Sequence, residues 1–369
     1  MIYLDNGATS FPKPICVTNS VIQAMSTCGN PGRGGYSVAI EAGKVLLNCR
    51  QQAAVLFACQ PEQVVFTGNC TQGLNIAIRT LVKPGNRVAI SGFEHNAVTR
   101  PLYGLGAEII VAGRKLFDWE DTIKEFENAL KRGVDAAVFT HVSNVFGYIL
   151  PVEKMSALCR KYNVPFIIDA AQSAGYLPIE LESLGADFIA MPGHKGLLGP
   201  TGTGLLLCRS LPEPLIFGGT GSVSLQQGMP DFLPDRAEAG TENVPGIAGL
   251  GAGLRWLQNR GMEEVFKREH CTAEICGREL QKMGVKVFCG PHQAATVSFV
   301  SRCDCEEAAA LLARQNLAVR AGLHCAPLAH ESAGTLQTGT VRVSCGYDTT
   351  PAQIRTFLQG VSKLPTVKF

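Results

Sequence analysis

Four short stretches of this 369-residue sequence put chemically useful side chains just after β-rich runs. After QVVFTG (63–68) comes Asn69-Cys70-Thr71-Gln72-Gly73, which leads into a helical pattern. A strand, a glycine-containing turn and a helix N-terminus leave backbone N–H groups aimed at an anion such as phosphate. Thr71 adds a hydroxyl to that cup, although the same turn also serves as a plain connector. After RVAISG (87–92) comes Phe93-Glu94-His95-Asn96. Its imidazole can stack on a flat ring or be a half-buried polar side chain. Asp169 closes the apolar run VPFII, with Gln172 shortly after. A carboxylate there is costly to bury without a partner. A protonated pyridine nitrogen is one partner, and capping the next helix is the other use. After ADFIAMP (186–192), Gly193-His194-Lys195-Gly196 offers a lysine flanked by glycine. Such a lysine can hold an aldehyde cofactor covalently, or be a surface lysine in a turn. The order and spacing of the four point to one site for a phosphorylated, electron-poor ring.

The elements that must position these residues alternate along the chain. Strand candidates are 63–68, 87–92, 107–113, 135–143, 164–170, 186–193 and 203–209, with helices such as Thr71–Leu81 and Val152–Tyr162 between them. That alternation predicts an α/β fold with a mostly parallel sheet covered by helices, over residues 14–245. Ligands of such sheets sit beyond the carboxyl ends of the strands, where the four stretches lie. Beyond about residue 245 the texture changes. A long helical stretch (246–283) precedes VKVFCG, ATVSFVS, a helix at 305–315, LAVRAG, TVRVSCG and a final helix from Pro351. This predicts a small α+β domain of residues 246–369, joined by residues 1–13.

Hydrophobic residues make up 46% and charged residues 17%, an ordinary globular balance with ample core material. A net charge of +2 gives no reason to expect nucleic acid or an anionic membrane as partner. The polar, turn-rich start and the lack of a membrane-length apolar run predict a cytoplasmic protein. The 14 cysteines show no CxxC pair and no zinc spacing, so no metal is expected. Cys49, Cys59, Cys159 and Cys208 lie in apolar stretches and read as small core residues.

Nine segments carry a family resemblance: YLDNGATS (3–10), TGNCTQGLN (67–75), FEHNA (93–97), SNVFG (143–147), IIDAAQSAG (167–175), GHKGLLGPTGTG (193–204), AEAGTEN (237–243), RAGLHCAPL (320–328) and RVSCG (342–346). Over nearly the whole chain they resemble the cysteine desulfurase and selenocysteine lyase family of class V aminotransferase-fold proteins. The resemblance implies the type I fold of pyridoxal 5′-phosphate (PLP) enzymes. It implies Lys195 as the residue that binds PLP, with Asp169 and Gln172 on the pyridine nitrogen and phenolic oxygen. His95 would stack on the ring and help move protons. Cys70, Thr71 and His194 would surround the phosphate, and Thr241 would reach the phosphate of a partner subunit, implying a homodimer. Asn144 would lie over the ring, and Arg342 would clamp the substrate carboxylate, a task suited to a planar two-pronged donor. Two positions depart from the family pattern. Pro192 replaces a hydroxyl residue and brings no N–H, and Cys70 stands where relatives often have a second threonine.

The same resemblance makes Cys325, in Arg320-Ala321-Gly322-Leu323-His324-Cys325-Ala326-Pro327, the nucleophile toward substrate sulfur. Its loop contains glycine and proline, so it is expected to be exposed, mobile and away from the strand ends that hold the cofactor. Protonated His324 would favour the thiolate. The expected reaction converts L-cysteine to L-alanine and a Cys325 persulfide, with a partner protein or small thiol collecting the sulfur. Selenocysteine lyase, another PLP lyase or aminotransferase on this scaffold, and a non-enzymatic sulfur-relay scaffold are the alternatives.

Overall fold

A computed structural model describes residues 1–32 and 34–365. The chain starts with β1 (Ile2–Tyr3), α1 (Ile15–Thr27) and α2 (Ser37–Leu56). It then runs through β2 (Val64–Thr67), α3 (Cys70–Leu81), β3 (Arg87–Ser91), α4 (Asn96–Gly104), β4 (Glu108–Ala112) and α5 (Trp119–Lys131). Next come β5 (Ala136–Thr140), α6 (Val152–Tyr162), β6 (Phe166–Asp169), the one-turn α7 (Leu181–Leu184), β7 (Phe188–Pro192) and β8 (Gly204–Cys208). The rest is α8 (Val244–Arg260), α9 (Met262–Lys282), β9 (Lys286–Phe288), β10 (Thr296–Val300) and α10 (Cys305–Ala313). It ends with β11 (Leu317–Ala318), β12 (Arg320–Gly322), α11 (Pro327–Ala333), β13 (Thr340–Ser344) and α12 (Pro351–Ser362).

The large sheet has the order β2-β8-β7-β6-β5-β3-β4. Its strands share one direction except β8, which runs antiparallel to both β7 and β2. Strands β5 to β8 are buried at every position, as expected of apolar runs covered by helices on both faces. The connection order reverses between β3 and β5, which opens a crevice at their carboxyl ends. His95 follows β3, and Asn144 follows β5.

The predicted helix over 246–283 is two helices, α8 and α9, broken at Gly261, whose φ of 83° suits glycine. The change of texture at 246 precedes the change of packing. Ile247, Leu250, Leu254 and Leu257 of α8 share the core of the large sheet. Gly253 lets α8 approach closely, since a Cβ there would lie 2.3 Å from the Leu197 carbonyl oxygen. The second core forms around the antiparallel sheet β12-β13-β10-β9, with Phe299, Val341, Val343 and Phe357 inside. The first residues join this second unit. β1 pairs in parallel with β11, and Asp5 bridges to Ser344.

Cys49, Cys159 and Cys208 are core residues, and Cys59 is half-buried. Among the described residues no cluster of His, Cys, Asp or Glu could hold a metal ion. No described helix is long and apolar enough to cross a membrane.

Candidate active site

A cleft of about 520 Å³, partly open to solvent, lies at the carboxyl ends of the large sheet. Eight residues singled out from sequence line it together: Cys70, Thr71, His95, Asn144, Asp169, Gln172, His194 and Lys195. Three others lie outside that lining. Thr241 borders a separate cleft with Gly68 and Gln72, Arg342 is sealed beside the site, and Cys325 stands exposed at its rim.

Lys195 follows β7 in the turn of residues 193–196. Burial, then the positive charge of Arg342, pull its amine below the usual lysine range. A larger neutral fraction makes a better nucleophile toward an aldehyde. Asp169 ends β6 and is almost wholly buried, which raises its carboxyl. Its Oδ1 accepts the Ala171 N–H at 2.9 Å and the Cys70 thiol at 3.5 Å. Among the described residues Asp169 has no ion-pair partner.

Cys70 therefore does not direct its sulfur into the anion cup. The first residue of α3 points its side chain back at the sheet, and burial, then Asp169, hold the thiol protonated. The cup itself survives. Asn69 caps α3 by accepting the Gln72 N–H, and Thr71 remains exposed in the first turn.

His95 caps α4, its Nδ1 accepting the Ala97 N–H at 3.0 Å. An accepting Nδ1 places the ring proton on Nε2. Burial, then Lys195, lower this imidazole to about 4, so it is neutral at pH 7. His95 thus presents a flat ring and one N–H donor. Carrying a proton at Nδ1 requires release of the Ala97 contact. His194 is lowered to about 4 by burial and then by Lys195, and its buried Nδ1 has no partner. The His194 carbonyl is held by Lys13 Nζ at 2.7 Å and Thr9 Oγ1 at 2.9 Å. Gln172 donates from Nε2 to the Gly7 carbonyl at 2.9 Å.

Asn144 donates from Nδ2 to the His324 carbonyl at 2.8 Å, and its buried Oδ1 has no partner. Cys325 is fastened next to it, its carbonyl accepting the Asn96 N–H at 2.7 Å. The expected mobile loop is thus a fastened turn at the end of β3, close to His95. His324 and Cys325 both adopt left-handed backbone, with φ of 52° and 56°. Non-glycine residues hold that conformation only where their surroundings impose it. His324 cannot assist as a cation. Burial, then Arg342, lower it to about 3, and its ring stacks on buried His330.

Sequence reasoning passed over two residues inside segments it had marked. Glu94 is fully buried, and its Oε1 accepts N–H groups from Thr140 at 2.8 Å and Ser91 at 3.3 Å and the Ser91 hydroxyl. It ties the ends of β3 and β5 together beside His95. An acidic residue at the end of an apolar strand was the available signal. Asp5 pairs with Arg342 Nη2 at 2.7 Å. Nothing local marks that contact, because the two residues lie at opposite ends of the chain.

The cleft fits PLP on observations of its own: a buried carboxyl with no ion-pair partner among the described residues, orphaned buried atoms on Asn144 and His194, a lysine amine lowered by burial, and an exposed Thr71 in the first turn of α3. Asp169 suits a pyridine N–H, His95 a ring face, and Thr71 with the α3 N-terminus a phosphate.

The sequence model of the family described as Aminotransferase class-V matches residues 2–357. A probable cysteine desulfurase of Methanothermobacter thermautotrophicus is 30% identical, over 96% of this chain and 92% of that relative. One from Pyrococcus abyssi is also 30% identical, over 99% and 94%. The solved apo structure of cysteine desulfurase from Thermococcus onnurineus NA1 superposes with a TM-score of 0.88 at 29% identity, covering 97% of this chain and 93% of that one.

Proposed function

The chain belongs to the class-V aminotransferase family, and on that premise we propose that it is a PLP-dependent cysteine desulfurase. It takes sulfur from L-cysteine onto Cys325 and releases L-alanine. The observation that carries this reading is the fastened, exposed Cys325 turn beside His95, at the rim of the cleft that contains Lys195.

PLP, when bound, supplies an aldehyde for amines and a protonated ring that draws electrons from the substrate Cα. The chain's residues do the rest. Lys195 would hold the aldehyde, and its amine, once free, would serve as the base for the substrate Cα proton. Asp169 would pair with the ring nitrogen, and Gln172 would serve the phenolic oxygen. Thr71, the N-terminus of α3 and His194 would hold the phosphate. His95 would cover the ring and keep water from it. Arg342 takes the substrate carboxylate, with Asn144 beside it. The Cys325 thiolate forms an S–S bond to the substrate sulfur as the Cβ–S bond breaks. A partner protein or a small thiol then collects the persulfide sulfur.

The test is alanine formation from cysteine, selenocysteine and cysteine sulfinate. Lys195→Ala should abolish turnover on all three. Cys325→Ala should retain the yellow cofactor and lose cysteine turnover by about a hundredfold or more, the scale of a lost nucleophile. It should keep substantial selenium release, because selenium leaves carbon with less help. Full cysteine turnover by Cys325→Ala would remove this thiol from the reaction.

A further inference from the structure

A carboxylate clamp needs N–H groups facing the ligand, and both terminal nitrogens of Arg342 are engaged inside the protein. Its side chain is 1% exposed and the guanidinium is not among the groups lining the Lys195 cleft. Nη2 contacts Asp5 Oδ1 at 2.7 Å, Nη1 donates to the Asn144 carbonyl at 2.9 Å, and Nε is enclosed without a partner. Gly7 presses on the same group, since a Cβ there would lie 3.2 Å from Arg342 Cζ. Binding a substrate carboxylate therefore requires something to move.

The candidates differ in freedom. Arg342 sits in mid-strand β13, hydrogen-bonded between β12 and β10. The Asn144 contact is a backbone carbonyl, and the Asn144 side chain is engaged with the Cys325 turn. Asp5 is 20% exposed and follows the two-residue strand β1, with one bridge to Ser344. Asp5 is thus the freest of the three.

We propose that Asp5 stands in for the substrate carboxylate on Arg342, and must release the guanidinium before an amino acid is held. Without Asp5 a buried cation would face the empty site alone, a costly arrangement. With it, binding exchanges one carboxylate for another, and the guanidinium is never unpaired. Asp5 thereby sets the affinity for amino-acid carboxylates and discriminates against ligands that lack one. It belongs to the segment whose Gly7 carbonyl takes the Gln172 amide and whose Thr9 and Ser10 hold the His194 and Lys195 carbonyls. Displacing Asp5 thus loosens the strap that joins the two units at the site. The inference rests on Arg342 being the clamp in the reaction proposed above.

The experiment uses the cofactor-loaded protein and propionate, which has the carboxylate but no amine to react with an aldehyde. Propionamide is the uncharged control. Calorimetric titration of Asp5→Asn, a near-isosteric change, should show propionate binding about tenfold more tightly than in wild type, the consequence of removing a competitor. The cysteine KM should fall by a similar factor. In wild type, propionate should speed hydrogen exchange at the Asn6 and Ala8 amides, and propionamide should not. Unchanged or weaker propionate binding in Asp5→Asn, a higher KM, or unchanged exchange at those amides would overturn the proposal and make Asp5 a positioning partner of Arg342. Arg342→Ala separates the two readings. If that variant still binds propionate as wild type does, the clamp assignment itself fails. If it loses propionate while Asp5→Asn gains none, only the competition is wrong.

Discussion

Glu94 lies fully buried one residue before His95 with no ion-pair partner among the described residues, and burial pushes its carboxyl up to about 8. In the unfolded chain the same group titrates near 4.5. Between those values the native state keeps a proton that the unfolded chain has lost. Native stability therefore falls as pH rises from about 4.5, and the loss is complete above about 8. Glu94→Gln keeps the acceptor for Thr140 and Ser91 and removes the titration. The variant should gain on wild type as pH rises, by about 2–5 kcal/mol at pH 9 relative to pH 5. Urea unfolding at several pH values measures the difference. A gap independent of pH would show that Glu94 does not titrate in this window. Residue types beside strand ends made it legible in the sequence that Lys195, Asp169, Gln172 and His95 come together in one cleft. Protonation was not legible, because it depends on burial. His324 reads as a cation in RAGLHCAPL, yet its surroundings make it neutral.

At the scale of elements, the turn between β12 and α11 is where sequence and structure differ most. Glycine and proline suggest looseness, but hydrogen bonds from Asn96 and Asn144 arrive from residues far away in sequence. Such fastening cannot be read from local composition. Asn144→Ala should leave the His324 carbonyl without its donor, at a cost of about 1–3 kcal/mol. Hydrogen exchange at Ala326, whose N–H bonds the Leu323 carbonyl at 2.9 Å, should accelerate, and persulfide formation should slow. Unchanged exchange at Ala326 would assign the fastening to Asn96 alone. The strands themselves were visible as apolar runs. The reversal of β8 was not, because a run buried on both faces carries no mark of direction. The break at Gly261 shows the converse, a helix boundary signalled by one glycine inside a continuous helical pattern.

At the scale of the whole molecule, apolar side chains remain on the surface of α1, α2 and the stretch before α8. Ile15, Met25, Val55, Phe217 and Leu225 are exposed, Leu225 at 98%. Large apolar side chains left exposed in number are available for contact with a second copy, and Thr241 lies outside the Lys195 cleft of its own chain. A homodimer in which Thr241 serves the neighbour accounts for both observations. Light scattering should report a dimer at micromolar concentration, and a monomer with full cofactor occupancy would contradict it. The cysteines, finally, have a collective effect. Sulfur delivered to one thiol could migrate through a chain with fourteen of them. Burial holds Cys49 and Cys159 at about 12, and Cys208 and Cys345 well above the ordinary thiol value. Thiols that stay protonated do not attack a persulfide. These buried thiols are thus poor acceptors, and in the proposed reaction sulfur on Cys325 would leave outward, across the surface where that residue stands.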